Sequence, residues 1–276
     1  MYTIDTVKMD FHFFTDISEA KLKQQKSIHL DKEKIRDTVL VSQDKLLMST
    51  YQKKLILVDS GSGQVLSKIA LQDTPRLMCM AEPHLAATTL ANKTIQFIQI
   101  NADNIVKHTT MTVDVNVYGI ATHKNNLVMS YYPPGVKIIS RAGKIIHTLD
   151  NTTARRVVFK YPRRIAITSD DSIYVTDIGT NKITRLDSNL AILQTFSGAM
   201  LNCPHGLLTL NRDQLLLCSM INNRILLLRP STSSMTVILE KQHGIERPQS
   251  VCFCKEQKKL YVSSDSDGRV LVYQML

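Results

Sequence analysis

The sequence predicts an all-β chain folded as a six-bladed β-propeller. Three observations carry that prediction: six copies of a repeat, short apolar segments broken by turn formers, and no segment with a sustained helical period. Short strands at even spacing, with a period of about 40–45 residues, mark propeller blades.

The clearest copies are PRRIAITSDDSIYVTDIGTNKITRL, from Pro162 to Leu186, and PHGLLTLNRDQLLLCSMINNRILLL, from Pro204 to Leu228; they align without a gap. A third copy begins at Pro248 and needs one inserted residue. Weaker copies run from Val39 to Asp59, from Pro75 and from Tyr118. The second apolar segment of each copy begins at Leu46, Leu85, Leu127, Ile173, Leu215 and Leu260, at intervals of 39 to 46 residues. Within a copy, IAI and KITRL alternate as strands do, and SDD, NRD, HKNN, IGTN and INN supply the turns. One blade cannot cover both of its faces, so blades stack radially and each face is buried by a neighbour. The last copy offers only three strands, near 251–254, 260–263 and 270–273. Part of residues 1–30, in DFHFF or KSIHL, is therefore expected to add the fourth and close the ring, which removes an exposed edge. Residues 31–276 then form the blades, and the whole chain reads as one domain.

Composition sets the class. The chain has 276 residues, 43% apolar and 21% charged, which excludes a wholly disordered protein. Lys and Arg outnumber Asp and Glu by 34 to 24, a net charge of +10. That charge supports solubility and non-specific attraction, not specificity. The longest apolar runs, such as LLLCSMI, are too short to span a bilayer, and no membrane partner is expected. MYTIDTVKMD lacks the basic start and apolar core of a secretory signal. Five cysteines with no CxxC pair read as reduced thiols in a cytosolic or nuclear compartment, and a cytoplasmic location is the expectation.

In the copy at Pro162 the pattern P-x-x-I-x-I-x-x-D-x-x-I-Y-V-x-D-x-x-x-N-x-I is carried by Pro162, Ile165, Ile167, Asp170, Ile173, Tyr174, Val175, Asp177, Asn181 and Ile183. It resembles the NHL repeat. The copy at Pro204 keeps the framework, with Ser219 where the first has Asp177. The whole resembles the C-terminal propeller of the invertebrate tripartite-motif (TRIM) NHL proteins. This resemblance implies a non-catalytic platform for protein partners, acting as the substrate-recognition part of a TRIM-like ubiquitin ligase system. It also implies an alternative ligand, single-stranded RNA, which some of these propellers bind. The RING and B-box modules of that family need clustered Cys and His. Cys79, Cys203, Cys218, Cys252 and Cys254 cannot build them, so ligase activity does not carry over to this chain.

In the propellers it resembles, ligands meet the face made by two sets of loops. One set leads into each inner strand and here holds Arg76, Tyr118, Arg163, Arg164, His205 and Gln249. The other joins the second and third strands. It includes Tyr51, Lys53, Lys54, Lys93, Tyr131, Tyr132, Asn181, Lys182, Asn222, Arg224 and Arg269. Together they predict a basic face bearing tyrosines. Such a face suits RNA, because cations track phosphates and rings stack on bases. A plain solvated surface has the same composition. RRVVFKYPRR, from Arg155 to Arg164, reads either as a phosphate-contacting patch or as a strand VVF with basic ends. KLKQQK, from Lys21 to Lys26, reads as an outer strand whose lysines discourage edge pairing. YYPPG, from Tyr131 to Gly135, is a stiff turn that would present two rings to a partner.

The enzyme readings are weaker. PHG, from Pro204 to Gly206, resembles the P-N-G of gluconolactonase-like propellers. Those enzymes bind a divalent cation in the channel, and the resemblance implies a metal-dependent hydrolase as a remote alternative. Here His205 stands in place of the Asn, no acid is found at the matching starts of the other blades, and Arg76, Arg163 and Gln249 stand there instead. Several arginines repel a divalent cation. Cys203 and His205 lack further metal ligands, and SDSDG, from Ser264 to Gly268, lacks the closing Glu of a calcium loop. No G-x-S-x-G, P-loop or dinucleotide fingerprint occurs. The expectation is a protein without catalysis, metal or other cofactor.

Overall fold

The structure, a computed structural model, describes residues 16–31, 33–264 and 268–276. These form six four-stranded antiparallel sheets set as blades around a ring. Strand β1 (Leu22–His29) comes first in the chain but belongs to the last blade. Blade 1 is β2 (Ile35–Ser42), β3 (Lys45–Thr50), β4 (Lys54–Asp59) and β5 (Val65–Ala70). Blade 2 is β6 (Pro75–Glu82), β7 (Leu85–Leu90), β8 (Thr94–Asn101) and β9 (Asn104–Thr112). Blade 3 is β10 (Asn116–His123), β11 (Asn126–Tyr132), β12 (Gly135–Ser140) and β13 (Ile145–Asp150). Blade 4 is β14 (Pro162–Ile167), β15 (Ile173–Asp177), β16 (Lys182–Leu186) and β17 (Ile192–Phe196). Blade 5 is β18 (Pro204–Asn211), β19 (Gln214–Ser219), β20 (Arg224–Arg229) and β21 (Ser234–Leu239). Blade 6 is β22 (Pro248–Cys254), β23 (Lys259–Ser264) and β24 (Arg269–Met275), with β1 as its outer strand.

The six-bladed, N-terminally closed architecture is the one expected from the repeat. Leu22 lies opposite Met275 and His29 opposite Arg269, and Leu276 N–H donates to the Lys21 carbonyl at 2.9 Å. KSIHL is thus the closing segment, whereas DFHFF lies outside the described residues. KLKQQK does start this outer strand, with Lys21 and Lys23 exposed.

Packing is divided among six apolar clusters, one between each pair of neighbouring blades. Alternate residues of a strand serve opposite neighbours. Leu46, Met48, Ile56 and Val58 pack against Cys252, Tyr261 and Val272 of blade 6. Leu47, Leu55 and Leu57 pack against Met78, Ala86 and Ile98 of blade 2. Both faces of a blade are therefore apolar, which is why LILV and LLLC read as unbroken runs. The joint itself is buried: Ile28 and Leu30 belong to the cluster between blades 6 and 1.

The inner strands β2, β6, β10, β14, β18 and β22 line the central channel. Each has a break in register at its start, between Ile35 and Asp37, Pro75 and Met78, Val117 and Gly119, Pro162 and Ile165, Pro204 and Leu207, and Pro248 and Ser250. A bulge leaves a residue unpaired and re-aims side chains. Proline, with no N–H to donate, suits the first residue of such a strand. Gly119 is required at its bulge, because a Cβ there would lie 1.8 Å from the Arg163 carbonyl.

Candidate functional site at the channel mouth

The antiparallel order puts the start of each inner strand beside the turn between the second and third strands, as in Ile35 opposite Thr50. The two predicted loop sets therefore do share one face. At its centre each blade contributes one side chain: Arg36, Arg76, Tyr118, Arg163, His205 and Gln249. The Arg36 guanidinium lies 5.0 Å from the centroid of the Tyr51 ring. Arg76 and Arg163 both cover Tyr118, at 4.2 and 5.3 Å. Gln249 Nε2 donates to the Tyr51 hydroxyl at 2.9 Å, and Arg163 Nη2 lies 3.4 Å from His205 Nε2. Cation–π contacts of this kind are worth about 0.5–2 kcal/mol each.

Among the described residues no carboxylate forms an ion pair with Arg36, Arg76 or Arg163. Burial first, and then the neighbouring arginine charges, hold the Arg163 pKa below its usual value, and burial lowers that of Arg36. Arg163 Nε, His205 Nδ1 and Gln249 Oε1 are buried without a hydrogen-bond partner among the described residues. Burial, followed by the charges of Arg163, Arg164, Arg36 and Arg247, pushes the His205 pKa down to about 3.

That shift predicts a pH dependence of stability. The unfolded histidine titrates near 6.5 and the folded one near 3. Above pH 6.5 both states are neutral and the contribution is complete. As pH falls below 6.5 the unfolded chain gains a proton that the folded chain refuses, so stability is lost towards pH 3. The slope approaches roughly 1.4 kcal/mol per pH unit. Denaturant titrations between pH 7.5 and 5 should show a shallower slope for His205→Gln than for the wild type. Equal slopes would mean that His205 does not stay neutral.

The next residue along the inner strands builds a second layer. Arg164 of blade 4 reaches across the ring to Asp37 of blade 1, with Nη1 on Oδ2 at 2.9 Å and Nη2 on Oδ1. Arg164 also donates to the Met78 carbonyl at 3.3 Å and to Ser250 Oγ at 3.4 Å. Asp37 further accepts from Met78 N–H at 2.7 Å, Ser250 Oγ at 2.8 Å and Thr38 N–H at 2.9 Å. Their exposures are 7% and 0%. Burial opposes the Arg164 charge, yet the Asp37 carboxylate raises its pKa above the ordinary value. The sequence reading set Arg164 on the basic surface; it is instead an internal tie between opposite blades. The same reading found no acid at the starts of the other blades; Asp37 stands one residue past Arg36 and is engaged by Arg164. Among the described residues no group of three or more His, Cys, Asp or Glu could hold a metal ion. The inner strands also line a cavity of about 310 Å³, with Cys79, Met80, Cys252 and Phe253 in its wall.

The remaining predicted residues scatter. Lys53 pairs with Asp73 at 3.3 Å, Lys54 with Glu33 at 2.6 Å and Arg224 with Glu240 at 3.8 Å. Asn222 donates to the Met200 carbonyl at 3.0 Å, and Arg269 is half-buried and engaged. His205 is buried at the mouth, at 5% exposure. Tyr131 is buried too, under the Lys137 ammonium and with its hydroxyl 3.3 Å from Asp150, so YYPPG shows only one ring. That ring, Tyr132, is exposed and stacks on Tyr161 at 6.1 Å. Lys182 is exposed. VVF is not a strand. Phe159 is buried, Asn151 Oδ1 accepts from the N–H groups of Val158 and Phe159, and Asp177 accepts from those of Lys160 and Tyr161. Sequence reasoning missed Arg36, because Ile35 replaces the proline that marks most other blades. Aligning Ile35-Arg36 with Pro75-Arg76 and Pro162-Arg163 reveals it.

No protein-family model and no curated protein matches the chain. Solved propellers do. The chain is a β-propeller. It is similar to virginiamycin B lyase from Staphylococcus aureus, with 14% identity, a TM-score of 0.65, and coverage of 94% of this chain and 100% of that one. It is similar to the WD40 β-propeller domain of Doa1, with 13% identity, a TM-score of 0.65, and coverage of 92% and 97%. It is also similar to the Cps50 (Swd1) β-propeller domain of Myceliophteria thermophila, with 14% identity, a TM-score of 0.63, and coverage of 88% and 83%. One of these is an enzyme and two are propeller domains, and identities this low speak for the fold alone.

Proposed function

We propose that the chain is a non-catalytic protein-interaction platform of the NHL-propeller kind, docking partners on the face that holds the channel mouth. The observation that carries this reading is the convergence of Arg36, Arg76 and Arg163 from three blades with no acidic partner among the described residues. Like charges gathered in a partly buried place work against the fold, and such departures from local consistency mark functional sites. Tyr132 and Tyr161 add an exposed aromatic pair on the same face. Arginine and tyrosine are the anchors that protein interfaces favour. In a TRIM-like setting this face would present substrates to a ligase module carried elsewhere. All five cysteines are free, which suits a reducing, cytoplasmic setting.

RNA is the less supported ligand. Tyr51 and Tyr118 are already covered by arginines, and Lys53, Lys54 and Arg224 are paired within the chain. Open rings and a continuous cationic track, which single strands require, are therefore reduced. The test is crosslink mapping of captured partners on three proteins: the wild type, Tyr132→Ala/Tyr161→Ala, and the opposite-face control Arg212→Ala. Protein crosslinks near residues 51, 132 and 161, lost only in the tyrosine variant, are expected. Crosslinks on the opposite face, or capture abolished by nuclease, would overturn the reading.

A further inference from the structure

The geometry points to a carboxylate socket: an Asp or Glu side chain from an acidic segment of a partner protein enters the channel mouth and is held by Arg36 and Arg163, with Arg76 beside them. This rests on the reading that the mouth face docks proteins, and it names what the face recognises.

Four features support it. Arg76 and Arg163 share the Tyr118 ring, and Arg36 lies over Tyr51, so the rings hold the guanidinium groups in place. A guanidinium fork matches a carboxylate in bidentate fashion, and one held in place loses less freedom on binding. Arg163 Nε is buried and without a partner among the described residues, so a donor at the mouth is unused. Lastly, the Arg164–Asp37 layer forms the next residue level of the channel, which limits a guest to a short stem. That layer is charge-balanced, its one carboxylate being paired with Arg164, so the mouth arginines are left to an incoming anion. His205, held neutral by burial and by the arginines, adds no charge of its own.

The probe is a fluorescein-labelled peptide of four glutamates flanked by Gly-Ser, titrated against the full chain in fluorescence anisotropy. The comparison ligands are the same peptide with glutamines, a labelled eight-nucleotide RNA, and inorganic phosphate as competitor. The glutamate peptide should bind at least ten-fold more tightly than the glutamine peptide. Arg36→Gln and Arg163→Gln should each weaken it by ten-fold or more, whereas Lys107→Gln, which removes the same charge from an exposed strand of blade 2, should change it less than two-fold. Arg163→Lys keeps the charge but not the fork, and should lose several-fold affinity with an unchanged melting midpoint. That variant separates recognition from folding if the glutamine variants unfold. Equal binding of the two peptides, or an equal loss in Lys107→Gln, would overturn the socket. RNA binding more tightly and lost in the same variants would also overturn it, as would phosphate displacing the peptide at equal concentration. If the peptide fails while partner crosslinks still fall near Tyr132 and Tyr161, the socket is wrong and the docking face stands. If the crosslinks fall on the opposite face, both are wrong.

Discussion

Replacing Arg164 with alanine is expected to destabilise the protein by about 3–5 kcal/mol, because breaking a buried ion pair leaves the other charge uncompensated. Asp37, fully buried, would keep its hydrogen bonds from Met78, Thr38 and Ser250 but lose its counter-charge. Asp37→Ala should do comparable harm by stranding the guanidinium. The double variant Asp37→Leu/Arg164→Met should recover much of the loss, since apolar replacement of a whole buried pair is often neutral or better. Recovery will be incomplete, because the Met78 N–H then lacks its acceptor. Urea titrations of the four proteins give the coupling energy directly. A single-variant loss under about 1 kcal/mol, or simple additivity in the double, would mean that the tie across the channel is not formed.

Removing the closing strand should have the other large effect. Truncation to residues 31–276 deletes Ile17, Ile28 and Leu30, each buried in an interblade cluster, along with the ladder to β24. Burying each such side chain contributes about 1.5–3 kcal/mol. Against a typical domain stability of about 5–15 kcal/mol, that loss is enough to abolish cooperative folding. The bared edge of β24 would also invite intermolecular pairing. Circular dichroism melts and gel filtration should show a weak, broad transition and larger species, and a synthetic peptide of residues 16–31 should restore the sharp melt. A chain lacking only residues 1–15 is the control. A truncated 31–276 protein that melts like the wild type would refute closure by β1.

The architecture was readable because the repeat writes it six times. The second strands begin at or within a residue of the apolar segments counted from the sequence, Leu46 lying in β3 and Ile173 opening β15. Site residues were less readable for three physical reasons. Parity is one: Tyr131 and Tyr132 are neighbours, yet one faces the blade interior and the other solvent. The bulges are another: consecutive residues Arg163 and Arg164 both point into the channel, Arg163 to Tyr118 and His205 of the adjacent blades and Arg164 across the ring to Asp37, where regular alternation would send one away. No residue type marks that departure, because Pro75-Arg76-Leu77 begins its strand with the same break. Long-range pairing is the third. Lys53 and Lys54 look free in the sequence, but Asp73 and Glu33 come from other segments to meet them.

The six register breaks separate two jobs that most binding sites must share. The clusters between blades and the Arg164–Asp37 tie hold the ring, while the first side chain inside each break faces a common opening without contributing to those clusters. The opening is in effect a six-character address, spelled Arg36, Arg76, Tyr118, Arg163, His205 and Gln249. Changing a character alters what the opening offers a ligand while the apolar clusters between the blades keep their composition, so ligand preference and the packing of the ring are written in different residues.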